Sequence, residues 1–159
     1  MLHNTYAGQT CSVARSLEVV GERWTLLILR DAFLGLRRFD EFQRSLGIAR
    51  NVLNTRLRRL VDAGLLERRQ YQERPERYEY RLTEMGRDLW PTIVALMAWG
   101  DKHLADDGPP LVLEHKGCGG TVDDRRTCTT CGDVLEARDV RMVRGPGATQ
   151  APRAIAGVA

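Results

Sequence analysis

With 159 residues, 43% of them hydrophobic, and a formal charge of +3, the chain can build one packed domain and a small appendage, but its net charge is too small to mark a nucleic-acid partner by itself. No apolar run approaches the ~18 residues of a membrane span, and the N-terminus lacks a basic-then-apolar leader, so a cytoplasmic protein is expected. In that compartment the four cysteines point to metal or redox chemistry before structural disulfides.

In chain order, residues 1–10 are polar and aperiodic and read as a flexible arm. Ser12 is the expected N-cap of a first helix to about Val20. Gly21 separates it from a second, Trp24 to Leu34, whose Trp24, Leu27, Ile28 and Phe33 read as core and which Gly35 ends. Phe39, Phe42 and Leu46 fall at i, i+3 and i+7 and predict a short helix stopped by Gly47. Leu53, Leu57, Leu60 and Val61 then give an amphipathic helix over 50–63, with Gly64 as its C′ residue.

The opposite face of that helix carries Asn51, Asn54, Thr55 and Arg58 on one ridge, flanked by Arg50, Arg56 and Arg59, with four arginines and no acid between 50 and 59. Arginine suits guanine edges, asparagine suits adenine, and flanking arginines suit phosphates, so the ridge has the chemistry of a major-groove recognition helix. A solvated basic surface helix is the alternative. The adjoining segment favours recognition: Leu65–Tyr71 and the strictly alternating Arg77–Leu82 flank a proline-containing turn and predict a β-hairpin, with Arg74 and Arg77 at its tip. A recognition helix joined directly to a hairpin is a winged helix, and the tip arginines suit an adjacent minor groove. Residues 38–82 hold eleven arginines and seven acids, a local +4 that leaves −1 for the rest of the chain.

Thr83 is the expected N-cap of a long helix from Glu84 to about Leu104, kinked at Pro91. Leu89, Ile93, Leu96, Met97 and Leu104 form its apolar face, and Trp90, Val94 and Trp99 widen it beyond the needs of a small domain, which predicts a partner helix and a homodimer. Residues 105–110 read as a linker. A short strand from Leu111 then leads into His115-Lys116-Gly117-Cys118-Gly119, and thirteen residues after His115 comes Cys128-Thr129-Thr130-Cys131-Gly132. Paired ligand-x-x-Cys-Gly knuckles are the pattern of a zinc ribbon, with His115, Cys118, Cys128 and Cys131 as a structural tetrahedral set. So few apolar groups give the metal a clear folding role, and the module over 111–144 reads as a separable appendage whose removal after Leu104 spares dimerisation and DNA binding. A Cys128/Cys131 redox pair, a metal-free ribbon and disorder are its alternatives. Residues 145–159, rich in Gly, Ala and Pro, read as a disordered tail.

Cys11 through Asp31, including Gly21-Glu22-Arg23-Trp24, is similar to the opening signature of the HxlR-type transcriptional regulators, relatives of the MarR-like winged-helix proteins. Arg38-Phe39-Asp40-Glu41-Phe42, Leu53-Asn54-Thr55-Arg56-Leu57, Ala63-Gly64-Leu65 and Arg74-Pro75 through Thr83 continue the resemblance, which covers roughly 11–104. It implies a dimeric DNA-binding regulator, most often a repressor, answering to a small-molecule or redox effector. It also implies a sensing role for Cys11, since relatives use a cysteine there. One departure is Ala49, where the family usually has a serine at the start of its recognition helix.

The expected architecture is therefore mainly α with a small β-hairpin wing, a winged helix-turn-helix over 11–104, plus a zinc-ribbon-like β module. Its expected partners are duplex DNA and a second copy of itself. Arg50, Asn51, Asn54, Thr55, Arg58, Arg59, Arg74 and Arg77 are the expected DNA contacts. The competing class is a small zinc-binding or thiol-redox protein centred on the C-terminal cysteines. An enzyme is not expected, because four protein ligands leave no open coordination position.

Overall fold

The computed structural model describes Tyr6 and residues 8–148. Most of the expected arm and tail (residues 1–5, 7 and 149–159) lies outside the described residues. The elements are α1 (Ser12–Val20), α2 (Thr25–Phe33), α3 (Phe39–Leu46), α4 (Arg50–Asp62), β1 (Leu66–Gln72), β2 (Arg77–Leu82), α5 (Glu84–Arg87), α6 (Trp90–His103), β3 (Leu111–His115) and β4 (Val140–Arg144), with a 3₁₀ turn at Ala137–Asp139. Each strand pair forms its own antiparallel two-stranded sheet.

The chain divides into two compact units, one running up to Ala32 and over Leu36–Gly86, the other comprising Phe33–Gly35 and the chain from Arg87 onward. In the first unit, α3, α4 and the β1–β2 hairpin form the winged helix-turn-helix that the sequence predicts. Glycine sets the helix ends here. Gly47 adopts φ 63° after α3, and Gly64 adopts φ 75° after α4. The latter completes a Schellman closure, with Leu65 N–H donating to Leu60 O at 2.9 Å and Gly64 N–H to Val61 O at 3.0 Å. The hairpin register runs from Leu66 opposite Leu82 to Gln70 opposite Tyr78, with an irregularity between Gln70 and Gln72. Phe42, Leu53, Leu57 and Leu60 are buried, as the apolar periodicity requires, whereas Trp24 and Leu27 are only half-buried. Helix α1 begins one residue earlier than the Ser12 cap implies: Cys11 is the N-cap, with extended backbone.

The second unit departs more from expectation. Residues 84–104 are not one kinked helix. Thr83 caps the four-residue α5 through Gly86 N–H at 3.1 Å, the chain turns at Asp88 and Leu89, and α6 starts afresh with Pro91 in its first turn. Proline is tolerated there because a first-turn N–H has no helical acceptor, so Pro91 starts a helix instead of bending one.

Helix α6 also clusters with the β3–β4 module. Trp90 and Val94 are buried in one core with Leu113, Cys128, Leu135 and Val140, and the Trp90 indole N–H donates to Leu135 O at 3.2 Å. Phe33 packs against Trp90 with ring centroids 5.3 Å apart. The apolar excess at Trp90 and Val94 is thus covered within the unit. Leu96, Trp99 and Leu104 remain 50, 55 and 71% exposed.

Candidate nucleic-acid interface and metal centre

The ridge of α4 sorts into committed and free groups. Its N-cap, Ala49, has no side chain to offer the first amides, and Asn51 takes over that role: its Oδ1 accepts from Val52 N–H at 2.9 Å. The Asn51 side-chain NH₂ is left to face outward. Thr55 Oγ1 donates back to Asn51 O at 2.9 Å and keeps only acceptor capacity. Asn54 and Arg58 are exposed, and among the described residues neither side chain has a hydrogen-bond or ion-pair partner.

Two flanking arginines are tied down by Glu22 in the turn between α1 and α2. Arg56 meets it at 2.7 Å and Arg59 at 3.0 Å. Arg56 has 18% of its side chain exposed and is a structural strut, whereas Arg59, 62% exposed, keeps most of its surface free. Glu22 went unnoticed in the sequence because its partners lie more than thirty residues away. Arg74 sits at the exposed turn of the wing and Arg77 opens β2. α3 is fixed at its start by the Glu41 carboxylate, which accepts from the Arg37 and Arg38 N–H groups at 2.9 Å each.

In the second unit the two knuckles are near copies of one another. Gly119 N–H donates to His115 O and Gly132 N–H to Cys128 O, both at 2.9 Å; His115 N–H donates to Gly120 O and Cys128 N–H to Asp133 O, both at 2.8 Å. The glycines after the second ligands adopt φ 74° and 80°, which is why that position must be glycine. The four ligand atoms lie within 4.8 Å of one another. Cys118 Sγ and Cys131 Sγ are each 3.3 Å from His115 Nδ1, and Cys118 Sγ is 3.4 Å from Cys128 Sγ.

Two further glycines shape the centre. A Cβ on Gly120 would fall 2.5 Å from Cys128 Sγ, and one on Gly117 would fall 2.9 Å from His115 Nε2. The Cys131 N–H, then that of Thr130 and the Cys118 and His115 side chains, hold the Cys128 thiol down at about 6 against opposing burial. At Cys131 the Asp133 N–H acts downward, but burial, the Cys128 and Cys118 sulfurs and the Asp133 carboxylate outweigh it and push the thiol up to about 12. Three sulfurs and one imidazole nitrogen at this spacing fit a tetrahedral thiolate-binding cation, since bonds of about 2.3 Å put neighbouring sulfur ligands about 3.8 Å apart.

Cys11 stands alone at the start of α1 and is exposed. No side-chain hydrogen bond of normal geometry caps the helix. The backbone N–H groups of Ala14 and then Val13 nonetheless lower its thiol below the ordinary range, and Arg15 is not among the causes. None of the helices among the described residues is long and apolar enough to cross a membrane.

Residues 19–107 match the model of the HxlR-like helix-turn-helix family. The HTH-type transcriptional regulator Rv3095 of Mycobacterium tuberculosis is 56% identical over 137 residues, 86% of this chain and 87% of that protein. Among solved structures, the chain is similar to PA1607, described as a transcription factor, at 42% identity and a TM-score of 0.69 over 87% of this chain and 97% of the other. It is also similar to the oxidized redox regulator HypR, at 34% identity and a TM-score of 0.55 over 58% of this chain and 97% of the other. A helix-turn-helix with a wing, an outward Asn54–Arg58 ridge and this extent of likeness lead to one assignment: the chain belongs to the HxlR-like helix-turn-helix family and is a DNA-binding transcriptional regulator.

Proposed function

We propose that the protein is a homodimeric, sequence-specific regulator, acting as a repressor, that reads the major groove with α4 and grips the adjacent groove with the β1–β2 wing. The observation that carries this reading is the free ridge: Asn54 and Arg58 are exposed and, among the described residues, unpartnered, while Arg56 and Arg59 are tied to Glu22. Asn54, Arg58 and the Asn51 amide are assigned to base edges. Thr55 accepts, and Arg50, Arg59, Arg74 and Arg77 serve phosphates and the wing's groove.

Arg58→Ala is expected to cost about 1–3 kcal/mol of specific binding and to relax discrimination at one base position. Arg74→Ala is expected to weaken specific and nonspecific binding alike. Footprinting on a duplex selected from a random pool by the wild-type protein tests both, and wild-type affinity in Arg58→Ala removes α4 from the reading role.

Zinc is assigned to the second unit as a structural ion held by His115, Cys118, Cys128 and Cys131, where it supplies cross-linking and charge neutralisation of the thiolates. A thiol-redox or zinc-enzyme reading is weaker, because all four coordination positions are filled by side chains. Cys11 is assigned to sensing: a thiol lowered by helix-start amides is the form that reacts with oxidants and electrophiles. In a dimer its modification would shift two recognition helices that must match major grooves about 34 Å apart. Cys11→Ser is expected to keep wild-type DNA affinity under reducing conditions and to lose the release caused by diamide or a quinone. Identical release by wild type and variant defeats this assignment.

A further inference from the structure

Between the start of α3, the first residue of α4 and the wing lies a groove of about 380 Å³ whose lining includes Arg38, Arg50, Arg68 and Arg77. Three of these guanidiniums lie over aromatic rings of the same groove: Arg38 over Tyr71 at 4.7 Å, Arg50 over Phe39 at 4.8 Å and Arg68 over Tyr78 at 3.5 Å. Among the described residues none of the four has a carboxylate within ion-pair distance. Of the two acids in the lining, Asp40 pairs with Arg44 at 3.6 Å, and Glu76 accepts a hydrogen bond from the Tyr78 hydroxyl within the groove at 3.1 Å.

A guanidinium stacked on a ring has its face covered and its orientation fixed, while its N–H edge stays free for a planar or tetrahedral anion, with less entropy lost on contact. The same stacking covers one face each of Phe39, Tyr71 and Tyr78, while Tyr80, the fourth ring of the lining, has no guanidinium over it among the described residues. The four guanidiniums offer a set of N–H edges matched to phosphate oxygens. Resting on the reading of α4 and the wing as the DNA-contacting elements, we propose that this groove clamps the DNA phosphodiester backbone between them. Arg38 and Arg68 are then phosphate contacts additional to the α4 and wing-tip residues, and Tyr71 and Tyr78 are the residues that position them.

The test compares wild type, an Arg38→Gln/Arg68→Gln double variant and Arg58→Ala on the pool-selected duplex and on an unrelated duplex, across a salt series. The double variant is expected to lose affinity for both duplexes by the same factor. The slope of log affinity against log salt should fall in magnitude by about 1.8, from two released phosphate contacts at about 0.9 each, with the ratio of the two affinities unchanged. Tyr78→Leu, which frees Arg68, is expected to reproduce part of the loss.

An unchanged slope in the double variant overturns the clamp. If Arg58→Ala then still relaxes discrimination, the reading of α4 survives without it; if neither variant has an effect, both fail together. Inorganic phosphate, added against chloride at equal ionic strength, covers the other source of the same chemistry. Extra competition by phosphate that disappears in the double variant, with the salt slope intact, would make this a free-anion site and overturn the assignment to the DNA backbone.

Discussion

Deleting the chain after Leu104, or stripping zinc from the intact protein, is expected to unfold the second unit instead of releasing an inert appendage. Trp90 and Val94 of α6 are buried against Leu113, Cys128, Leu135 and Val140, so without the module two large apolar side chains lose their cover. At about 1.5–3 kcal/mol for each such side chain, the loss is roughly 3–6 kcal/mol. With zinc bound as proposed, the module would depend on the metal more heavily still, since structural zinc contributes about 10–16 kcal/mol of apparent binding energy that is also folding energy.

Elemental analysis of protein purified without chelator should give one zinc per chain. Chelation should then shift Trp90 emission to the red in a Trp24→Phe, Trp99→Phe background and abolish the cooperative transition of this unit. Gly120→Ala, whose new Cβ would press on Cys128 Sγ at 2.5 Å, should bind the metal far more weakly with every ligand still present. Metal-free protein with unshifted Trp90 emission and an undiminished transition counts against this account. Truncation that leaves dimerisation and DNA binding largely intact is the opposing expectation; against it stands the packing of α6 with the module that truncation removes.

Placing a charge on the exposed side of α6 is expected to dissociate the proposed homodimer and, with it, to remove most of the DNA affinity. Leu96, Trp99 and Leu104 stay exposed after the module has covered Trp90 and Val94, and three large apolar side chains on or just beyond one short helix favour a second copy. We assign to them pairing with α6 and α1 of the other subunit, where Val13 and Leu17 of α1 are likewise exposed. The Trp99→Glu variant should sediment as a monomer at concentrations where wild type is a dimer. Two linked half-site contacts exceed one by about 10²–10⁴-fold through effective concentration, so binding to the pool-selected duplex should fall by that order while the zinc content is unchanged. A dimeric Trp99→Glu protein places the interface elsewhere.

The sequence by itself determined what depends on neighbours close in the chain. The helices α3 and α4 and the hairpin follow from apolar spacing and from glycines such as Gly47 and Gly64, whose left-handed backbone ends an element locally. The clustering of His115, Cys118, Cys128 and Cys131 was equally legible, because each knuckle closes within five residues and its glycine signals the backbone turn. β4 was not singled out within the module, because the apolar/polar alternation of Val140, Arg141 and Met142 breaks at Val143 and Arg144; it exists through pairing with β3 across a register joining His115 to Val140.

Only the tertiary structure decided which arginines are free. Arg56, Arg58 and Arg59 look alike in sequence, yet Glu22 removes Arg56 and partly engages Arg59 from a distance of more than thirty residues. It alone brings Arg38, Arg50, Arg68 and Arg77 to one groove, and it alone joins α6 to the β3–β4 module through Trp90 and Leu135, 45 residues apart. Local periodicity records which face of a helix is apolar. It holds no record of what covers that face or which distant carboxylate meets a given cation, because those contacts form only when the chain closes long loops.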